Sequence, residues 1–149
     1  MSIDASTIAE EDRLWRELGD TFDAFDREQA LRPGYFAEGW SAKDALAHIG
    51  TWLAEAGVAL EQIRHGTYVE LRDDQIDEMN ARFLDAMRDV SLADVKAQAA
   101  AARSRMLHAW GEFPAPDESA ASWIRKAGPE HYREHLPRLH AWLVQLRGE

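Results

Sequence analysis

The chain has 149 residues, with 17 Lys and Arg against 27 Asp and Glu for a formal net charge of −10, and no cysteine. A domain of this size buries about 68–70% of its unfolded surface, so neither a disulfide nor a metal is required for folding. The charge argues against a phosphate-backbone binder, which needs a Lys/Arg-rich face to release counterions, and the lack of cysteine excludes disulfides, thiolate metal ligands and a protein thiol nucleophile.

The start, Met1 to Ser6, is neither basic nor followed by a long apolar run, and no segment approaches the ~20 apolar residues of a membrane span, so a cytoplasmic protein is expected. Ile8, Trp15, Leu18, Phe22 and Phe25 recur at three- and four-residue steps and predict one amphipathic helix ended by Pro33-Gly34. An aromatic loop through Tyr35, Phe36 and Trp40 follows. Ser41 and Asp44 then form a capping-box pattern that opens a second helix, carrying Leu46, Ile49, Leu53, Leu60 and Ile63 as far as Gly66.

Ile76, Met79, Phe83 and Met87 mark a third helical stretch, with a break at a second capping pattern, Ser91 with Asp94. Leu92, Val95, Ala99, Ala102 and Met106 continue the stripe to Trp110-Gly111, and the small residues from Ala97 to Ala102 permit a close neighbour. Prolines make Phe113 to Glu118 a loop, followed by a short turn or helix around Trp123 and a break at Gly128. Pro129 suits the first position of a last helix, whereas Pro137 falls inside it and predicts a kink. Leu139, Trp142, Leu143 and Leu146 complete that helix, and neither strand-like alternation nor an internal repeat occurs. The expectation is one all-α domain over residues 1–149, an antiparallel four-helix bundle with short connections.

His131 and His135, in Pro129-Glu130-His131-Tyr132-Arg133-Glu134-His135, carry the most chemistry. Four residues apart on a helix, they share a face with Cβ atoms about 5–6 Å apart, close enough to hold one metal ion. A third ligand, His48, is in phase with Ala45 and Trp52; should the two helices be neighbours, three neutral nitrogens converge and leave one coordination position open. The competing reading is a set of core imidazoles satisfied by carbonyls or carboxylates. Protons would compete with a metal for ordinary imidazoles below about pH 6.5. Glu130 and Glu134 are candidates to fix an imidazole tautomer from outside. The spacing also fits the H-x-x-E-H pattern of inverted zinc proteases, with Glu134 as base, but those are large mixed folds and a helical bundle offers no strand edge for a peptide. His65, His108 and His140 receive no role. Trp15, Trp52, Trp110, Trp123 and Trp142 read as core or layer-edge aromatics, and Trp40, just before the His48 helix, as a pocket residue.

Three segments taken together, Gly39-Trp40-Ser41-Ala42-Lys43-Asp44-Ala45-Leu46-Ala47-His48-Ile49, Ile76-Asp77-Glu78-Met79-Asn80 and His131-Tyr132-Arg133-Glu134-His135, resemble the DinB-like superfamily over nearly the whole chain. That group includes mycothiol-dependent maleylpyruvate isomerase and the ClbS/DfsB proteins. The resemblance implies a four-helix bundle in which His48, His131 and His135 bind a divalent metal, commonly zinc or nickel, at one end. Relatives use low-molecular-weight thiols such as mycothiol or bacillithiol at that metal, or act on reactive electrophilic natural products. The isomerase is similar only in its N-terminal part and has a further domain, so the resemblance implies thiol transfer rather than isomerisation. The expected function is a metal-dependent thiol transferase acting on small electrophilic molecules. The alternatives are a metal-dependent hydrolase or a ClbS-like protein that inactivates or sequesters a reactive molecule, and a non-catalytic ligand-binding bundle around Trp40. A small-molecule substrate, a homodimer, and no nucleic-acid or membrane partner complete the expectation.

Overall fold

The structure, a computed structural model, describes residues 5–35 and 39–148, all helix and connecting segments with no strand among them; Phe36 of the aromatic loop and the first four residues lie outside the described part. Seven helices follow in order: α1 (Ala5–Asp23), α2 (Arg27–Leu31), α3 (Ala42–His65), α4 (Asp73–Met87), α5 (Leu92–Gly111), α6 (Glu118–Ala127) and α7 (Pro129–Arg147). No described helix is long and apolar enough to cross a membrane.

The first helix, expected to continue to Pro33, is instead divided. Asp26 takes an extended backbone and accepts from the Gln29 N–H at 2.8 Å, while the Gln29 side chain accepts from the Asp26 N–H at 2.9 Å. A capping box satisfies donors that continued helix would otherwise bond, so α1 stops and α2 starts afresh. The same device opens α3 at Ser41 and Asp44, as expected, and Gly66 closes it in the left-handed region at φ 76°. Ser91 caps α5 through the Asp94 N–H, which makes the interruption there real.

The direction of the helices departs from a simple antiparallel arrangement. A Cβ on Gly50 would lie 3.1 Å from Ala99 Cα, and one on Gly57 would lie 3.6 Å from Met106 N, so α3 and α5 run side by side in the same direction. Tyr132 donates to Glu11, and Thr21 meets His140, so α1 and α7 are likewise parallel. Arg103 on Glu11 and Lys96 on Asp23 show α1 and α5 to be opposed. Short loops cannot join parallel neighbours, and the connection between α3 and α5 accordingly contains α4, which packs on α3. The small stripe on α5 does what its composition predicts: Ala99 leaves room for Gly50, and a larger residue at either place would force the axes apart.

The core is made of Leu18, Ile49, Leu53, Leu60, Met106, Ile124 and Leu139, all essentially inaccessible. Within it sits a carboxylate. Glu11 is 0% exposed and accepts from Arg103 Nη2 at 2.6 Å, from Arg103 Nε at 2.8 Å and from Tyr132 Oη at 2.9 Å. The Arg103 guanidinium also lies over the Trp15 ring, 5.4 Å from its centroid. α7 continues unbroken through Pro137, whose ring nitrogen has no hydrogen to offer the carbonyl of Arg133.

Replacing Glu11 by Ala should lower the free energy of unfolding by about 3 kcal/mol in urea titrations, because it leaves a partly buried guanidinium with Asp12 alone and a buried hydroxyl without its acceptor. A loss no greater than that of the solvent-facing Glu17→Ala would contradict this account.

Candidate metal centre and its cavity

α7 begins at Pro129, after a break at Gly128 where a Cβ would meet Ile124 O at 2.8 Å and Glu11 Cγ at 3.4 Å. Only glycine fits there, and the start of α7 is thereby set against both α6 and α1. His131 and His135 project from one face of α7 towards the first half of α3. There His48 meets them with ring centroids 4.8 Å from His131 and 5.8 Å from His135, the latter two being 4.9 Å apart. One nitrogen from each ring lies within 4.8 Å of the others. Three nitrogens bound tetrahedrally at about 2.0–2.1 Å from one zinc stand about 3.3 Å apart, within the 4.8 Å that bounds the spacing here. Among the described residues this is the cluster of ligand-type side chains with that geometry.

The protonation of the three rings suits them to a cation. His131 is 9% exposed and His135 2%. Burial pushes the His48 imidazole down to about 4, helped by His131, and holds His131 at about 4 despite a hydrogen bond to the Ala127 backbone. His135 falls to about 3, through burial first and then the proximity of His131, His48 and Arg138. All three are neutral at pH 7, which is the ligating form. The sequence-based expectation that protons intervene below about 6.5 therefore moves to lower pH, since the reference value applies to a solvated ring.

Two of the rings are held from outside the triad. Tyr35 Oη lies 2.9 Å from His135 Nδ1 and donates to the His135 carbonyl at 3.4 Å. An Nδ1–H donated to this hydroxyl would leave Nε2 with the lone pair that a ligand needs. A hydrogen bond to the Ala127 backbone holds the second ring. Glu130 and Glu134, candidates for this task in the sequence, are exposed, and Glu134 stands 3.7 Å from Arg138 instead.

His48 and His131 form part of the lining of a cavity of about 620 Å³, within the roughly 300–1,000 Å³ of small-molecule sites. Trp52, Trp123 and Tyr68 supply its aromatic surface, and Asn80, Ser122 and Lys126 are among its polar groups. Trp40 packs edge-on against His48 at 5.2 Å, beside the triad, and is not among the residues that line this cavity. Trp52 and Trp123, read from the sequence as core, take the pocket position. The signal for Trp52 was present, since it follows His48 by one turn on α3; Tyr35 gave none, its partner lying 100 residues away. His65 and His108 are exposed at the ends of α3 and α5, and His140 is exposed beside Thr21.

No family model matches the chain, and no curated protein does. A solved structure of an uncharacterised protein from Escherichia coli UTI89 is similar, with a TM-score of 0.79 and 14% identity over 94% of this chain and 92% of that one. At that identity the likeness extends to the helical fold.

In the unfolded chain the three imidazoles titrate near 6.5, whereas in the folded one they stay neutral to about 4 or below. The unfolded state takes up protons first as the pH falls, so metal-free protein should be fully stable above about 6.5 and lose stability progressively down to about 3, where His135 is the last to titrate. Urea midpoints at stepped pH measure this, and His135→Gln should flatten the slope in that window. An unchanged slope would show that the buried rings titrate normally.

Proposed function

We propose that this chain is a DinB-like, divalent-metal-dependent enzyme that transfers a low-molecular-weight thiol to small electrophilic molecules. The reading is carried by one observation: three neutral imidazoles, two of them held by Tyr35 and the Ala127 backbone, converge at the edge of a small-molecule cavity. A core histidine satisfied by a carbonyl needs no two companions within 4.8 Å. In this reading the four long helices α1, α3, α5 and α7 are the DinB-like bundle, and His48, His131 and His135 hold zinc or nickel.

When bound, such an ion acts as a Lewis acid and lowers the pKa of a thiol or water beside it. The protein's own residues supply the rest. Tyr35 and the Ala127 backbone orient two ligands, and the aromatic lining of Trp52, Trp123 and Tyr68 holds the electrophile and displaces water. The chain has no cysteine, so the sulfur comes from a free thiol such as mycothiol or bacillithiol, and no internal thiol competes for the metal. A second reading, sequestration or ClbS-like inactivation of a reactive molecule, draws on the same aromatic lining, which would retain an apolar ligand without any chemistry.

Elemental analysis of freshly purified protein should find about one zinc or nickel per chain, and much less in His48→Ala and His135→Ala. Full content in both variants would end the metal reading. Metal-loaded protein should consume thiol in proportion to a chloronitrobenzene electrophile, and chelated protein should not. Turnover without thiol would select hydrolysis, and saturation at one ligand per chain would select sequestration. Tyr35→Phe should weaken metal binding about 10–100-fold in competition with a chromophoric chelator, with the fold intact, because it removes only the hydroxyl that orients His135.

A further inference from the structure

The cavity has an aromatic wall whose construction goes beyond what packing requires. Trp52 of α3 and Trp123 of α6 stack with ring centroids 6.3 Å apart and an interplanar angle of 29°. Phe83 of α4 meets Trp52 edge-on at 5.6 Å, and Tyr68, between α3 and α4, meets Trp123 edge-on at 6.3 Å. Each indole N–H is already engaged: Trp52 Nε1 donates to Asn80 Oδ1 at 2.7 Å, and Trp123 Nε1 donates to Tyr68 Oη at 2.9 Å.

These bonds fix both rings in orientation and use the only strong donor each possesses. With those donors engaged, the indoles offer a ligand polarisable aromatic carbon surface, drawn from separate elements and held by tertiary contacts. Both rings are half-buried and both line the cavity. Trp52 stands one helical turn from His48, so a molecule lying on the wall brings a substituent to the histidines over about 5–6 Å.

We propose that the cavity takes a flat aromatic or conjugated molecule, seated on the Trp52 and Trp123 wall with its polar substituent turned towards His48 and His131. Trp52 and Trp123 are then the residues that set specificity. The proposal rests on the function inferred above and names the substrate class of that same site.

The test uses the metal-loaded full chain and two probes of similar size bearing one hydroxyl each, 2-naphthol and decahydro-2-naphthol, only the first of which is flat. Calorimetry should show 2-naphthol binding about tenfold more tightly, the scale of one good aromatic contact. Proton spectra of the wild-type complex should show upfield-shifted naphthyl signals with cross-peaks to the Trp52 and Trp123 rings. Trp123→Ala should cost naphthol about tenfold more than it costs the saturated alcohol, while Trp123→Phe should narrow that difference. Equal affinity for the two alcohols, or naphthyl contacts to other rings in the wild type, would overturn the proposal without reference to any variant. The same titration on chelated protein separates the two claims. Naphthol seated on the wall of a protein with no metal-dependent turnover retains this inference and removes the metal reading, and turnover with no preference for the flat probe does the reverse.

Discussion

Glu11 carries a carboxylate that is withdrawn entirely from solvent, and the arrangement of three helices follows from how that charge is satisfied. Desolvating such a group costs several kcal/mol unless its oxygens are filled. Here they are filled by a two-pronged guanidinium from α5 and a hydroxyl from α7. Neither donor can slide along its helix without leaving an oxygen bare, so the bonds specify the register of α1, α5 and α7 where hydrophobic contact alone would tolerate displacement. Tyr132 is the immediate neighbour of His131, and Gly128 packs against the side chain of Glu11. The buried ion pair therefore fixes the height at which the first turn of α7 presents its imidazoles to α3.

The electrostatics of the histidine end follow from burial. Three basic rings share a poorly solvated space, burial disfavours the protonation of each, and His131 adds to the effect on His48 and His135. Neutral ligands leave the charge of a dication uncompensated by the triad itself. The chain as a whole is acidic, with a net charge of −10, and an acidic field raises the local concentration of cations.

Much of this was legible in the residues. Periodicity placed the long helices, and the serine caps at Ser41 and Ser91 marked two starts. The i,i+4 pair on α7 and the phase of His48 identified the triad, because a helix converts sequence spacing directly into a shared face. The split between α1 and α2 was also written, in Asp26 and Gln29, but the apolar stripe through Phe25 outweighs a four-residue cap to the eye. Helix direction was not legible: nothing local distinguishes a polar connection that turns back from one that crosses over with α4. The exchange of roles between Trp40 and Trp52 has the same origin. Both tryptophans adjoin His48, one in sequence and one by helical phase, and which of them faces the cavity depends on α4 and α6, which close over α3. Tyr35 was beyond reach, since its task exists only once α7 has docked.

The parallel pairing of α1 with α7 has a consequence for the order in which the molecule assembles. The contact between Glu11 and Tyr132 spans 121 residues, and that between Tyr35 and His135 spans 100. Contacts of such separation form late, after loop closure has been won by more local ones. As the chain emerges during synthesis, α3 is complete while α7 is absent, and His48 then has neither companion. The donors for a metal come together only when the last described helix closes against the first. An ion held as proposed would be captured by the finished molecule alone, and its binding free energy would deepen the native basin relative to partly folded states as well as to the unfolded chain.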